Sequence, residues 1–200
     1  MKPVSDIREP AVAGWFYPGD ALELSDTVDR LLGDVASAAD APAVRMLLAP
    51  HAGYAYSGAI AGRGFNRLRA SNTPARAFII GPSHVEAFDF TSVYAGRAYR
   101  TPLGDVPVDR EAAASLAGAA PSIRVNDAGH ALPRHGRGEH GIEVELPFLQ
   151  RCFPTLHVVP IVMGSQSWRA CEELGGAIAS ITNWRTDIVI ASSDLSHFYD

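Results

Sequence analysis

The chain has 200 residues, a formal net charge of −5, 47% hydrophobic and 20% charged residues, a balance that suits one globular domain with a sizeable core. The acidic balance and the absence of like-charge runs argue against nucleic acid as a partner, since a phosphate backbone calls for a basic face. No apolar run is long enough for a membrane span, no apolar leader opens the chain, and two cysteines, Cys152 and Cys171, make no disulfide framework, so the expectation is a cytoplasmic protein without a membrane partner.

Residues 8–18 hold two prolines and a glycine and no helical period, which predicts an extended arm anchored by Trp15, Phe16 and Tyr17. Asp20 can cap a helix carrying Leu22, Leu24, Val28, Leu31 and Leu32, ended by Gly33 or the small-residue tract to Pro42. Val44 to Ala49 reads as a buried strand. Ser57 to Arg69 reads as a helix whose glycines and alanines allow close approach to the sheet. A turn at 71–74 leads to a strand from Ala75 to Ile80. Weak alternation follows from Phe88 to Tyr94, and Ala98 to Thr101 leads to Pro102-Leu-Gly104. A helix capped by Asp109 runs to about Ala119, and a short strand spans Ser122 to Val125. After a polar loop, Glu143 to Phe153 reads as helix, with Pro147 tolerable only in its first turn. Leu156 to Val162 is a strand, Ser167 to Ile181 a helix and Thr186 to Ala191 the last strand. Strands alternating with helices predict an α/β fold with a largely parallel sheet, and no repeat or linker divides it.

Seven histidines are the compositional excess. Three apolar runs each deliver one just past their carboxyl end: His51 after Pro50, His84 after Gly81-Pro-Ser, and His197 after Ser192-Ser-Asp-Leu-Ser. In a parallel sheet those ends meet in one crevice, where open α/β sheets place their ligands. Imidazole is both a common metal ligand and a group that titrates near neutrality, so a metal or acid–base site is expected. Tyr54 and Tyr56 could wall it. Asp194 could ligate a metal, orient His197 or cap a helix. In the loop 126–143, His140 follows Glu139 at a helix start, which favours its neutral ring and a place in the site. His130 and His135 read as loop histidines and His157 as a structural one. Both cysteines read as buried, inert thiols. Arg124, Arg134 and Arg137 read as surface residues that could bind an anion. There is no Gly-x-Ser-x-Gly elbow, phosphate-binding P-loop or Gly-x-Gly-x-x-Gly turn. Ser193, Asp194 and His197 are too close in sequence for the usual triad.

These motifs, taken together and in order, resemble the Memo family, which includes the bacterial AmmeMemoRadiSam system protein B. The resemblance rests on Arg8-x-Pro-Ala-Val-Ala-Gly-x-Phe-Tyr-Pro18, Pro50-His-Ala-Gly-Tyr-x-Tyr-Ser-Gly58, Gly81-Pro-Ser-His84, Tyr99-x-Thr-Pro-Leu-Gly104, Glu139-His-x-x-Glu143 with Leu146-Pro-Phe-Leu149, Val159-Pro-Ile161 and Ser192-Ser-Asp-x-Ser-His197. It implies a three-layer α/β/α fold with a largely parallel, mixed sheet, like that of class III extradiol ring-cleaving dioxygenases. It implies metal ligation by His51 and His84, with His197 as acid–base group or further ligand. His140 and Asp194 are the other candidates for catalysis, and Tyr54, Ser83 and Glu139 for contact with a bound molecule. The implied cofactor is a divalent metal, Fe(II) first and copper or zinc as alternatives, although a vestigial site without metal also fits.

Two departures stand out. The resemblance places a third metal ligand, a cysteine or a carboxylate, in a carboxyl-terminal part that this chain lacks. The expectation is thus one Memo-like domain over 1–200 without that part. Gly141 also stands where the family usually has serine. The implied functions are a non-haem iron enzyme acting on a catechol-like molecule, a peptide- or ligand-binding adaptor on the same scaffold, or a partner of radical-SAM and AMMECR-type proteins. A homodimer is a general expectation for such domains.

Overall fold

The computed structural model describes residues 6–34, 43–71, 73–133 and 138–195. Its frame is a six-stranded sheet in the order β2-β9-β3-β8-β4-β7. The strands are β2 (Met46–Ala49), β3 (Arg76–Pro82), β4 (Thr91–Val93), β7 (Ile123–Val125), β8 (His157–Met163) and β9 (Asp187–Ser192). β2, β9, β3 and β8 are mutually parallel, and β4 runs antiparallel to β8. The central strands are short, β-branched and buried on both faces, which is the pattern a parallel sheet between helices requires.

Helices cover both faces. On one lie α1 (Ala21–Leu32), α2 (Tyr54–Ser71) and α4 (Leu146–Cys152), whose Leu24, Val28, Phe65, Leu68, Phe148 and Leu149 pack with Ile79, Ile188 and Ile190. On the other, α3 (Arg110–Ala119) and α5 (Trp168–Ile181) bury Leu116, Leu174 and Ile178 against Phe78, Val159, Ile161 and Val189. The fold is therefore three-layer α/β/α with a mixed, mostly parallel sheet, as the sequence predicts. Local signals set the helix ends. Asp20 accepts from the backbone N–H of Leu22 and Glu23, and Asp109 from that of Ala112. Pro147 sits in the first turn of α4, after a single 3₁₀ turn at Glu143–Glu145. Among the described residues no helix is long and apolar enough to cross a membrane.

The structure departs from the sequence reading in several places, beginning with β2, an edge strand whose Met46 and Leu48 are exposed rather than buried. A second, three-stranded sheet forms from β1 (Ile7–Arg8), β5 (Ala98–Thr101) and β6 (Gly104–Pro107), so the amino-terminal arm is tied by parallel pairing to β5. The α2 helix starts at Tyr54 rather than Ser57, because the Gly53 carbonyl already accepts from Tyr56 and Ser57. The small residues of α2 serve the contact with α1 as much as the sheet: an added Cβ on Gly62 would lie 2.3 Å from the Leu31 carbonyl oxygen. Cys171 is exposed rather than buried. Cys152 is partly buried, and burial moves its thiol up to about 12, so it is inert as expected.

Candidate metal centre

The carboxyl ends of β2, β9 and β3 are neighbours in the sheet, which brings His51, Ser192 and His84 to one place. Pro50 ends β2 and turns the chain, and the Asp194 carboxylate then accepts from the backbone N–H of His51 at 2.6 Å and Ala52 at 2.9 Å. The role of Asp194 among described groups is thus to clasp the β2 exit to the β9 exit, and it also lines the crevice. The third ring comes from the loop before the 3₁₀ turn. His140 stacks on His84 with centroids 4.8 Å apart and meets His51 edge-on at 5.7 Å. One ring nitrogen from each of His51, His84 and His140 lies within 4.8 Å of the others.

Two of the rings are already oriented. The Nδ1 of His84 is 2.8 Å from Glu139 Oε1. A carboxylate only accepts, so Nδ1 carries the proton and Nε2 is left as the free nitrogen. The Nδ1 of His51 lies 2.9 Å from Ser192 Oγ, which again leaves Nε2 free. Glu139 is the organiser of this half of the site: it also accepts from the backbone N–H of His84, of His140 at 2.8 Å and of Gly141 at 2.9 Å. Burial alone would push its carboxyl up, but these donors outweigh it and hold the group at about 2.

The electrostatics favour the neutral ring at two of the three histidines. Burial, helped by the two neighbouring histidines, lowers His140 to about 4. The sequence anticipates that direction, but its source is burial rather than the helix terminus. Burial also lowers His51. The Glu139 hydrogen bond raises His84, which is the most exposed of the three.

Nitrogens around one zinc- or iron-sized ion stand about 3–3.4 Å apart for bonds of roughly 2.0–2.1 Å. The 4.8 Å spread found here is somewhat wider, so small ring movements would close the set on an ion. The donor chemistry fits: three imidazoles, two with their second nitrogen anchored, could hold a divalent metal. Beside them opens a cavity of about 710 Å³ lined by Phe16, Pro50, Ala52, Gly53, Tyr56, Ser57, His84, His140 and Asp194.

Other residues singled out in the sequence lie elsewhere. Tyr54 points into the core, where its hydroxyl donates to the Val144 carbonyl, and Tyr56 lines the crevice in its place. Ser83 Oγ donates to the Glu86 carbonyl in a local turn. Glu139 lies buried behind His84 rather than on the crevice wall. His130 is fully buried, accepts from Tyr99 and is held at about 3 by burial. His157 is exposed at the start of β8. Arg124 is an exposed residue whose guanidinium covers the Phe90 ring. His197, Arg134, His135 and Arg137 fall outside the described residues.

Three residues of the site escape sequence reasoning. Phe16 packs against His140 with centroids 4.6 Å apart; its only signal is the aromatic cluster of the arm. Glu143 accepts from the backbone of Ala11 and Val12, from the Tyr17 hydroxyl and from Arg8, whose guanidinium also reaches the Glu139 carbonyl. Glu145 bonds to Ser192, and nothing in its neighbourhood in sequence marks it.

Comparison with known proteins gives the family. Residues 8–200 match the family described as Memo-like protein. A MEMO1 family protein of Methanobrevibacter smithii is 36% identical over 96% of this chain and 70% of its own length. One from Methanopyrus kandleri is 35% identical over 96% and 69%, and one from Thermotoga neapolitana 35% over 97% and 72%. With a family model matched over residues 8–200 and relatives 35–36% identical over 96–97% of its length, the chain belongs to the Memo-like protein family.

Proposed function

We propose that the crevice binds one divalent metal ion through His51, His84 and His140, with ferrous iron as its natural occupant, and that it receives a small aromatic molecule over Phe16 and Tyr56. The observation that carries this reading is the convergence of three imidazole rings beside a mostly apolar cavity of about 710 Å³. Pockets for small ligands combine apolar walls with a few placed polar groups in this way. A ferrous ion would supply Lewis acidity and one-electron redox chemistry at that point. The chain's own residues do the rest. Glu139 keeps the His84 ring oriented, Phe16 shields one face of His140 from water, and Asp194 presents the polar group on the crevice wall.

Elemental analysis of protein purified without added metal tests the metal reading. Near-stoichiometric iron, lost in His51→Ala/His84→Ala and in His140→Ala, supports it. No metal after isolation, together with failure to take up Fe(II) without oxygen, removes it. If metal is bound, a catechol panel under oxygen tests for ring cleavage. A second reading, ligand or peptide binding without turnover, is favoured by Tyr56, which stands 88% exposed on the rim as an aromatic contact. Binding of an aromatic probe with no product formed would select that reading.

A further inference from the structure

Behind His51 lies a closed group of polar atoms of which the metal reading uses only the His51–Ser192 contact. Ser192 Oγ is 2.9 Å from His51 Nδ1 and 3.0 Å from Glu145 Oε1, and it donates to the Gly141 carbonyl. All of these are buried, and Glu145 is fully so. A serine hydroxyl has one proton to give and two lone pairs with which to accept. The Gly141 carbonyl can only accept, and it is the nearest of the three partners, so it takes that proton. Both remaining partners must then donate. His51 does so if Nδ1 carries its proton, and Glu145 does so if it is an un-ionised acid. With Glu145 ionised, the serine would have two acceptors and one proton, leaving lone pairs facing each other at close range.

We propose that Glu145 is held as a neutral carboxylic acid which, through Ser192, fixes His51 as the Nδ1–H tautomer and so keeps Nε2 as its ligating nitrogen.

The surroundings of Glu145 agree. Its Oε2 has no hydrogen-bond partner among the described residues, which an ionised carboxylate buried in an apolar core tolerates poorly. Among the described residues no cation compensates it, and the charged neighbour that bears on it, Asp194, is of its own sign. Burial raises its pKa to about 8, against the pull of the Ser192 hydrogen bond. His51 and His84 thus receive the same tautomer by opposite means: an ionised carboxylate acts directly on His84, and a neutral acid acts on His51 through a hydroxyl. Glu145 is a positioning residue, and its role deepens the metal reading above.

The test uses the whole, metal-free protein at pH 6.5. Infrared difference spectra between wild type and Glu145→Gln should show the carbonyl stretch of a buried protonated carboxyl, lost in the variant. Nitrogen-15 spectra of histidine-labelled protein, with His51 assigned through His51→Gln, should show His51 protonated at Nδ1. Glu145→Ala should shift that ring toward a mixture of tautomers, and Glu145→Gln, whose amide still donates, should restore it. Ser192→Ala should weaken zinc binding about tenfold. An ionised-carboxylate signal for Glu145, or a His51 ring protonated at Nε2, overturns the proposal; if the variants used for assignment fail to fold, the absence of any protonated-carboxyl band from the wild-type spectrum at pH 6.5 overturns it as well. If the acid band and the Nδ1–H ring are present but no metal binds, the positioning role stands and the metal reading falls.

Discussion

Arg8 and Glu143, 135 positions apart in sequence, form an ion pair with side chains 2% and 0% exposed. Glu143 also accepts from the backbone of Ala11 and Val12 and from the Tyr17 hydroxyl, while Arg8 bonds the carbonyl oxygens of His130 and Glu139 and lies over the Tyr99 ring. The pair ties the amino-terminal arm to the loop that carries His140. Arg8→Ala would leave the carboxylate buried without its cation, a change that costs about 3–5 kcal/mol. Urea unfolding should show a loss of that size, and a loss below about 1 kcal/mol would mean the pair does not fasten the arm.

Close packing between α1 and α2 depends on Gly62, whose added Cβ would meet the Leu31 carbonyl carbon and oxygen at 2.6 and 2.3 Å. Backbone atoms cannot swing aside, so the helices must separate. Gly62→Ala should lower stability by about 1–3 kcal/mol, even though alanine is the better helix former. Gly176→Ala in α5 is the contrast: nothing lies within 4 Å of its added Cβ, and it should gain up to about 1 kcal/mol. Thermal melts of the two variants should move in opposite directions.

The pattern that places His51 and His84 is legible because each follows a short apolar run closed by proline or glycine, and strand ends are where a parallel sheet gathers its loops. The tyrosines are less legible, since their direction depends on helical phase. Tyr54 and Tyr56 are two residues apart, about 200° around a helix of 3.6 residues per turn. Starting α2 at Ser57 leaves that rotation out, so the buried and exposed tyrosines are not told apart. The small sheet of β1, β5 and β6 is missed because strands of two to four residues are too short to display an alternation. Arg8, Glu143 and Glu145 are missed for a different reason. Charged side chains default to the surface, and their burial depends on partners that are distant in sequence.

His130 supplies a pH dependence. Its ring is fully buried and neutral, held at about 3 in the folded protein against an ordinary value of 6.5. The unfolded chain binds that proton more readily, so stability is full above pH 6.5 and is lost as the pH falls toward 3. The loss attributable to this ring is on the order of 3 kcal/mol at pH 4. His130→Gln keeps an acceptor for Tyr99 and a donor for the Ser92 carbonyl but cannot titrate. Urea unfolding at pH 6.5 and pH 4 should therefore show a smaller acid loss in the variant by about that amount. Equal losses would assign the acid sensitivity to other groups.

Glu139 gives the most direct test of how the centre is organised. One carboxylate oxygen faces the His84 ring and the backbone N–H of His140 and Gly141, and the other faces the backbone N–H of His84. Glutamine has the same shape, but its amide nitrogen must confront donors on one side, so Glu139→Gln breaks part of the cradle while leaving the fold in place. The amide oxygen takes the side with three donors, so the NH2 confronts the His84 backbone N–H and displaces the β3 exit that carries the ring, and weakening of such an outer partner lowers metal affinity by about 10–100-fold. Losing the carboxylate also removes the main influence that raises the His84 pKa. The pH at which zinc uptake is half-maximal should move down even as affinity at pH 7 falls. Calorimetric titration with zinc, a redox-silent probe, reads both, with the exposed Glu111→Gln as the reference substitution. A fall in affinity with no downward shift in pH would mean that Glu139 holds the loop but does not govern the His84 proton. Unchanged affinity would separate the orientation of His84 from the holding of metal altogether.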